Sequence, residues 1–178
     1  MDHPVRKNLR LAKYDYSAPG VYFVTVCSCE KRCILATIRR GDPCGRPDHR
    51  LTEYGSILVQ CLAETESLYG VTLSPFVIMP NHIHFLCHIG EQRATARVAP
   101  TLGRIVGAFK SLAANRCREA GLDGALWQRS FYEHIVRSDA EYREITEYIM
   151  TNPVRWAEDP YHSEAIQNSS DKMTAGNG

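Results

Sequence analysis

The stretch FVIMPNHIHFL, residues 76–86, constrains the fold of this chain more than any other part of it. Two apolar runs within VTLSPFVIMPNHIHFLCHI (71–89) meet at Pro80-Asn81, a turn-forming pair, so the segment reads as two strands of one hairpin. On a strand, residues two apart share a face. His82 and His84 therefore point one way, and Ile83 and Phe85 point the other way into a core. The hairpin lies in the middle of the chain, and what flanks it is ordered. VYFVTVCSC (21–29) reads as a strand rich in β-branched and aromatic residues. RRGDPCGRPDHR (39–50) reads as an exposed loop or insertion. LTEYGSILVQCLAETESLYG has helical apolar spacing closed by Gly70. After the hairpin, TLGRIVGAFKSLAANRCREAG (101–121) reads as a helix capped by Thr101. LWQRSFYEHIVR (126–137) reads as a strand with an irregular approach, and SDAEYREITEYIMTN as a third helix that starts at Ser138 and ends before Pro153. The order β-α-β-β-α-β with an added C-terminal helix predicts an α+β, ferredoxin-like (RRM-like) antiparallel sheet. The expected organisation is a basic arm over 1–20, a globular domain over 21–157 and a polar, disordered tail over 158–178.

Composition excludes several classes. The chain has 178 residues, 44% of them apolar and 23% charged, as in a soluble globular protein. No stretch approaches the length of a membrane span, and MDHPVRKNLR lacks the apolar core of a signal peptide, so a cytoplasmic protein with no membrane partner is expected. Seven cysteines, an odd number, include a C-x-C-x3-C run with no second pair to complete a zinc site; reduced thiols are the expectation. A net charge of +1 speaks against a uniformly basic duplex binder. Yet residues 1–50 carry 10 basic and 5 acidic side chains, and residues 141–178 carry 3 and 7, so the ends are opposite in sign.

Two local patterns carry chemistry. Neutral imidazoles at His82 and His84, side by side on one strand face, can share a divalent cation. The same spacing also describes two histidines on a solvated strand. His88 has the parity of that face but lies too far along to complete an H-x-H-x-H array. On the third helix Tyr148 and Asn152, four apart, address one place. A tyrosine hydroxyl is a poor nucleophile unless a nearby cation polarises its target, and an asparagine carbonyl is a neutral oxygen ligand suited to Mg²⁺ or Mn²⁺. Spacing equally allows a buried Tyr148 and a helix-terminating Asn152.

The phrases YDYSAPGVYFVTVCS, FVIMPNHIHFL, LGRIVGAFKS, LWQRSFYEHIVRS and YREITEYIMTNPVRW, in this order over residues 8–158, resemble the REP-associated tyrosine transposases. These belong to the single-tyrosine HUH superfamily of bacterial insertion sequences. The resemblance implies the ferredoxin-like fold, with His82 and His84 as the metal pair, Asn152 as third ligand and Tyr148 as nucleophile. Tyr132, in FYEH, competes for that last role. It further implies a single-strand DNA endonuclease and strand transferase that uses Mg²⁺ or Mn²⁺ and forms a 5′-phosphotyrosine intermediate. The implied substrates are REP palindromes folded as hairpins, the expected location is the bacterial nucleoid, and the acting unit is a monomer or homodimer. For DNA contact, Arg6, Lys7, Arg10 and Lys13 form a basic arm that suits backbone phosphates. Arg104, Lys110, Trp127 and Arg129 offer a charged and stacking surface for an unpaired base. Arg155, in NPVRW, suits backbone contact beside the nucleophile. The 39–50 segment departs from the family's usual link into the first helix. Two other readings remain: a non-catalytic single-strand-binding module, disfavoured by the missing aromatic pattern of RNA-recognition sheets, and a metal phosphodiesterase that uses water.

Overall fold

The computed structural model describes residues 18–39, 48–90 and 101–162. Strands β1 (Gly20–Cys27), β4 (Thr72–Ile78), β5 (His82–Ile89) and β6 (Tyr132–Val136) form one sheet in the order β4-β5-β1-β6. Every pairing in it is antiparallel. Helix α1 (Glu53–Tyr69) joins β1 to β4, and α2 (Leu102–Glu119) joins β5 to β6. This is the ferredoxin-like order expected above. α3 (Asp139–Thr151) is the added C-terminal helix.

The caps are those the sequence announces. Thr52, Thr101 and Ser138 each accept a hydrogen bond from the backbone amide three residues on, satisfying a donor that the first turn leaves free. Gly70 closes α1 in the left-handed region, at φ 55°, where glycine carries no Cβ penalty. Gly55 is required for a different reason: a Cβ there would collide with the Leu35 carbonyl, so α1 packs directly on the backbone that precedes it.

The two faces of the sheet bury different things. Val24, Val26, Ile83, Phe85 and Cys87 point to one side, where they form a core with Leu58 and Leu62 of α1 and Ile105, Val106 and Phe109 of α2. On the other side, α3 lays Ile149, Ile145 and Tyr142 against Leu86, Val77, Val21 and Val136. That second face also carries His82 and His84.

Three expectations need correcting. The segment 39–50 is not simply a loop: β2 (Ala36–Arg39) pairs antiparallel with β3 (Asp48–Leu51) at its two ends. These four-residue strands are too short and too charged to show a two-residue apolar period. Residues 40–47 between them lie outside the described residues. The strand expected over 126–137 begins at Tyr132, and Trp127 makes only an isolated bridge with Ser28. Finally, residues 158–162, assigned to a disordered tail, include one buried side chain and two half-buried ones. A 3₁₀ turn at Trp156–Glu158 returns the chain to the sheet and buries Asp159. The rest of the tail, and Arg6, Lys7, Arg10 and Lys13 of the arm, lie outside the described residues.

Candidate active site

The His82 and His84 side chains are fully buried, at 0% and 1% exposure, so they are not a solvated strand pair. β5 sets their common direction, and the strand pairing Thr25↔His84 and Cys27↔His82 supplies the neighbours. His82 donates from Nδ1 to the Asn81 side-chain oxygen at 2.8 Å, which leaves its Nε2 lone pair free. The Thr25 hydroxyl meets His84 Nδ1 at 2.8 Å and anchors the second ring. The two Nε2 atoms then face each other at 2.9 Å. Two nitrogens ~2.1 Å from one ion, at right angles, adopt about this separation. Burial pushes both imidazoles down to about 3, helped by the Lys31 charge at His82 and by His82 itself at His84. Both rings are therefore neutral at physiological pH, the form that binds a cation.

α3 brings two further groups. Tyr148 places its hydroxyl 3.4 Å from His84 Nε2. Burial, and next the Asp159 charge, push this phenol up to about 12, so it holds its proton at neutral pH. Asn152, one turn later, is buried; its Nδ2 donates to Asp159 Oδ2 at 3.1 Å. Its Oδ1 is buried with no hydrogen-bond partner among the described residues. A buried carbonyl oxygen without a donor is costly, and a cation would satisfy it.

Asp159 was not foreseen. The turn after α3 carries it back so that one ligand atom from each of Asp159, His82 and His84 lies within 4.8 Å of the others, all three residues buried. Asp159 Oδ2 is 4.0 Å from His82 Nε2. Its other oxygen accepts from the Tyr161 amide at 2.6 Å, and Asn81 Nδ2 ties down the Tyr161 carbonyl at 2.7 Å. The Tyr161 ring covers His82, with centroids 4.7 Å apart. Two imidazole nitrogens, one carboxylate and one orphaned amide oxygen make a donor set that fits a divalent cation such as Mg²⁺ or Mn²⁺.

Residues 26–152 match the family described as IS200-like transposases. The chain belongs to that family. Among curated relatives, an uncharacterized Haemophilus influenzae protein is 33% identical over 170 residues, covering 86% of this chain and 91% of its own length. A second H. influenzae protein, described as a candidate REP-associated tyrosine transposase, is 24% identical over 147 residues, covering 79% of this chain and 74% of its own. Among solved structures, a REP-associated tyrosine transposase bound to a REP hairpin superposes with a TM-score of 0.60 at 20% identity, over 83% of this chain and 74% of that one. A candidate transposase of Deinococcus radiodurans gives 0.50 at 18% identity, over 80% and 95%. At these identities the structures share the fold. No helix among the described residues of this IS200-like chain is long and apolar enough to cross a membrane.

The remaining expected site residues divide. Arg104, Arg129 and Arg155 are exposed. Trp127 is not a stacking surface: it is 9% exposed, packs near Phe109 with ring centroids 5.9 Å apart, and donates Nε1–H to the Lys110 carbonyl at 3.1 Å. Its indole is worth more inside the core than on the surface. Lys110 is also spent internally, donating to the carbonyls of Gln128, Arg129 and Ser130 and so fastening that loop to α2. Tyr132 is 43% exposed and meets Phe23 edge-on, 6.4 Å between centroids, whereas Tyr148 is the phenol against His84. His88 meets the Ser74 carbonyl, away from the pair. Thr25, Asn81 and Tyr161 were missed along with Asp159. Asn81 alone had a signal, its adjacency to the H-x-H pair in PNHIH.

Proposed function

We propose that this IS200-like chain is a divalent-metal-dependent endonuclease and strand transferase that acts on single-stranded, hairpin-forming DNA of the REP type through a 5′-phosphotyrosine intermediate. One observation carries the reading: a tyrosine hydroxyl stands 3.4 Å from one of two facing, neutral imidazole nitrogens that a buried carboxylate joins. A water-using hydrolase has no need of a phenol aimed there, and a binding module has no need of buried donors. The printed description of one structural relative, a transposase bound to a REP hairpin, supports the substrate class.

His82, His84, Asn152 and Asp159 would hold Mg²⁺ or Mn²⁺. The ion, when bound, would polarise the scissile phosphate and offset the charge that develops on it. Asn81 fixes the His82 tautomer that leaves its Nε2 lone pair available, and Thr25 holds the His84 ring in place beside it. Tyr148 Oη attacks phosphorus, a P–O bond to tyrosine forms, and the bond to the 3′ oxygen breaks. The phenol gives up its proton and the departing oxygen gains one, so the step is proton-neutral overall. It is isoenergetic to first order, because one phosphodiester replaces another. A second 3′-hydroxyl can therefore reverse it on a new strand end. Asn152 and the Ile149 anchor hold the nucleophile's helix against the pair. Arg129 and Arg155 offer phosphate contacts at the exposed rim. The acting unit is a monomer or homodimer in the bacterial cytoplasm, at the nucleoid.

The test uses a labelled pool of synthetic hairpin oligonucleotides with single-stranded flanks, incubated with the protein and Mn²⁺ or Mg²⁺ and resolved on a denaturing gel. A covalent protein–DNA band that disappears in Tyr148→Phe is the expected result. Cleavage without an adduct supports the hydrolase. A mobility shift on a native gel with neither cleavage nor adduct supports the binding module.

A further inference from the structure

We propose that Lys31 is a phosphate-binding residue of this site, its ammonium engaging the non-bridging oxygens of the phosphodiester that Tyr148 attacks. This rests on the function proposed above and adds a residue to it.

The first observation is backbone conformation. Glu30 and Lys31 are consecutive non-glycine residues in the left-handed region, at φ 56° and 54°. Side chains with a Cβ are disfavoured there, and two in a row persist only where the surroundings over-determine them; such positions cluster at functional sites. The surroundings do so here. Ser28 N–H donates to the Asn81 carbonyl at 2.9 Å and Cys29 N–H to Leu126 at 2.8 Å. The Ser28 hydroxyl donates to the Arg32 carbonyl at 2.8 Å. The Arg32 guanidinium donates to the Ala125 carbonyl at 2.7 Å. The strained turn is thus clamped to the same Asn81 that orients His82.

The second observation is where the turn aims the side chain. Lys31 Nζ stands 5.6 Å from the centroid of the Tyr161 ring, the ring that covers His82.

The third is charge balance. A divalent ion on this donor set keeps one positive charge after Asp159, and Lys31 adds another. Two like charges on either side of the Tyr161 ring repel less when an anion lies between them. A phosphodiester supplies that anion, and its transition state carries more negative charge than its ground state. The Tyr161 face is a resting place for the ammonium that costs little to leave, since a cation–π contact is weaker than a charge-assisted bond to phosphate.

The experiment takes the hairpin that forms the adduct and prepares it in two versions, one native and one with a neutral methylphosphonate at the scissile position. Affinities are measured by fluorescence anisotropy with Mg²⁺, in full-length Tyr148→Phe protein with and without Lys31→Gln. The expected result is that Lys31→Gln weakens binding of the native hairpin about tenfold and leaves methylphosphonate binding unchanged, while Lys31→Arg restores most of the loss. Equal weakening on both hairpins, or no weakening on either, overturns the proposal. Thermal melts guard against misfolding: a Lys31→Gln variant that melts with the parent and shows a tenfold loss on both hairpins still counts against it. If the wild-type protein forms no adduct with any hairpin of the pool, the function proposed above fails first. An adduct that forms equally fast with Lys31→Gln refutes only the role of Lys31.

Discussion

Along β5, successive side chains enter two interiors. Ile83, Phe85 and Cys87 are buried against α1 and α2, and His82 and His84 are as deeply buried beneath α3 and the Asp159 turn. On the first face the buried atoms have no need of water, and burial drives folding. On the second face the apolar packing under α3 adjoins a buried polar cluster, whose two imidazole Nε2 atoms face each other rather than any protein donor or acceptor of another kind. The first interior holds the chain together. The second is assembled at some cost to stability, which an apolar face would not incur, and its unused donors account for why it exists. The difference teaches where to look for chemistry in such a sheet: at the buried polar side, not at the exposed one.

Four measurements break or sharpen this contrast, from the largest expected effect to the smallest. Tyr148→Phe removes the proposed nucleophile and should lower adduct formation by ~10⁴-fold, with the melting temperature near that of the parent. Activity that survives would move the chemistry elsewhere on the polar face. Phe85→Ala, on the apolar face, should cost ~3–5 kcal/mol in urea unfolding, yet the increment in melting temperature on adding Mn²⁺ should persist. A lost increment would mean that the two faces are not independent. Divalent ion at ~100 times its dissociation constant should stabilise the parent by ~2.7 kcal/mol. It should do little for His84→Ala, and Asp159→Asn should need ~10–100 times more ion to reach the same effect.

The last concerns pH. Both imidazoles are lowered in the folded protein to about 3, against an ordinary value of 6.5. Between these values the unfolded chain binds more protons, so ion-free protein should lose stability as pH falls below 6.5 and continue to lose it toward 3. The loss is at most ~1.4 kcal/mol per pH unit for each ring. Replacing both histidines with glutamine should flatten the profile, whereas Ile83→Val should leave its slope alone. Melts across that window decide it.

How much of this could be read from the chain alone follows from which signals are periodic. The sheet and the three long helices were legible because apolar spacing and caps repeat along them. His82, His84, Tyr148 and Asn152 were legible because spacing on a regular element fixes direction. Asp159 was not, since it reaches the pair through an irregular turn in a polar stretch that carries no period. Lys31 was not, because its aim depends on two left-handed residues with no glycine to announce them. Trp127 and Lys110 were misplaced on the surface for a shared reason: residue type suggests nucleic-acid contact, but only packing shows that the indole lies on Phe109 and that the ammonium is saturated by three carbonyls. The β2–β3 pair escaped because four-residue strands are held by backbone bonds rather than by an apolar face.

The Asp159 turn also bears on timing. The groups that converge here run from Thr25 on the central strand to Tyr161, across nearly all of the described chain. During synthesis the hairpin and both core helices can leave the ribosome and fold before Asp159 has been added, since chains fold from the N-terminal side as they emerge. At that stage the histidine pair lacks its carboxylate and the phenol lacks its helix. A nascent chain of this kind has a core but not yet the assembled histidine–carboxylate–phenol cluster, so whatever chemistry that cluster performs belongs to the finished protein only.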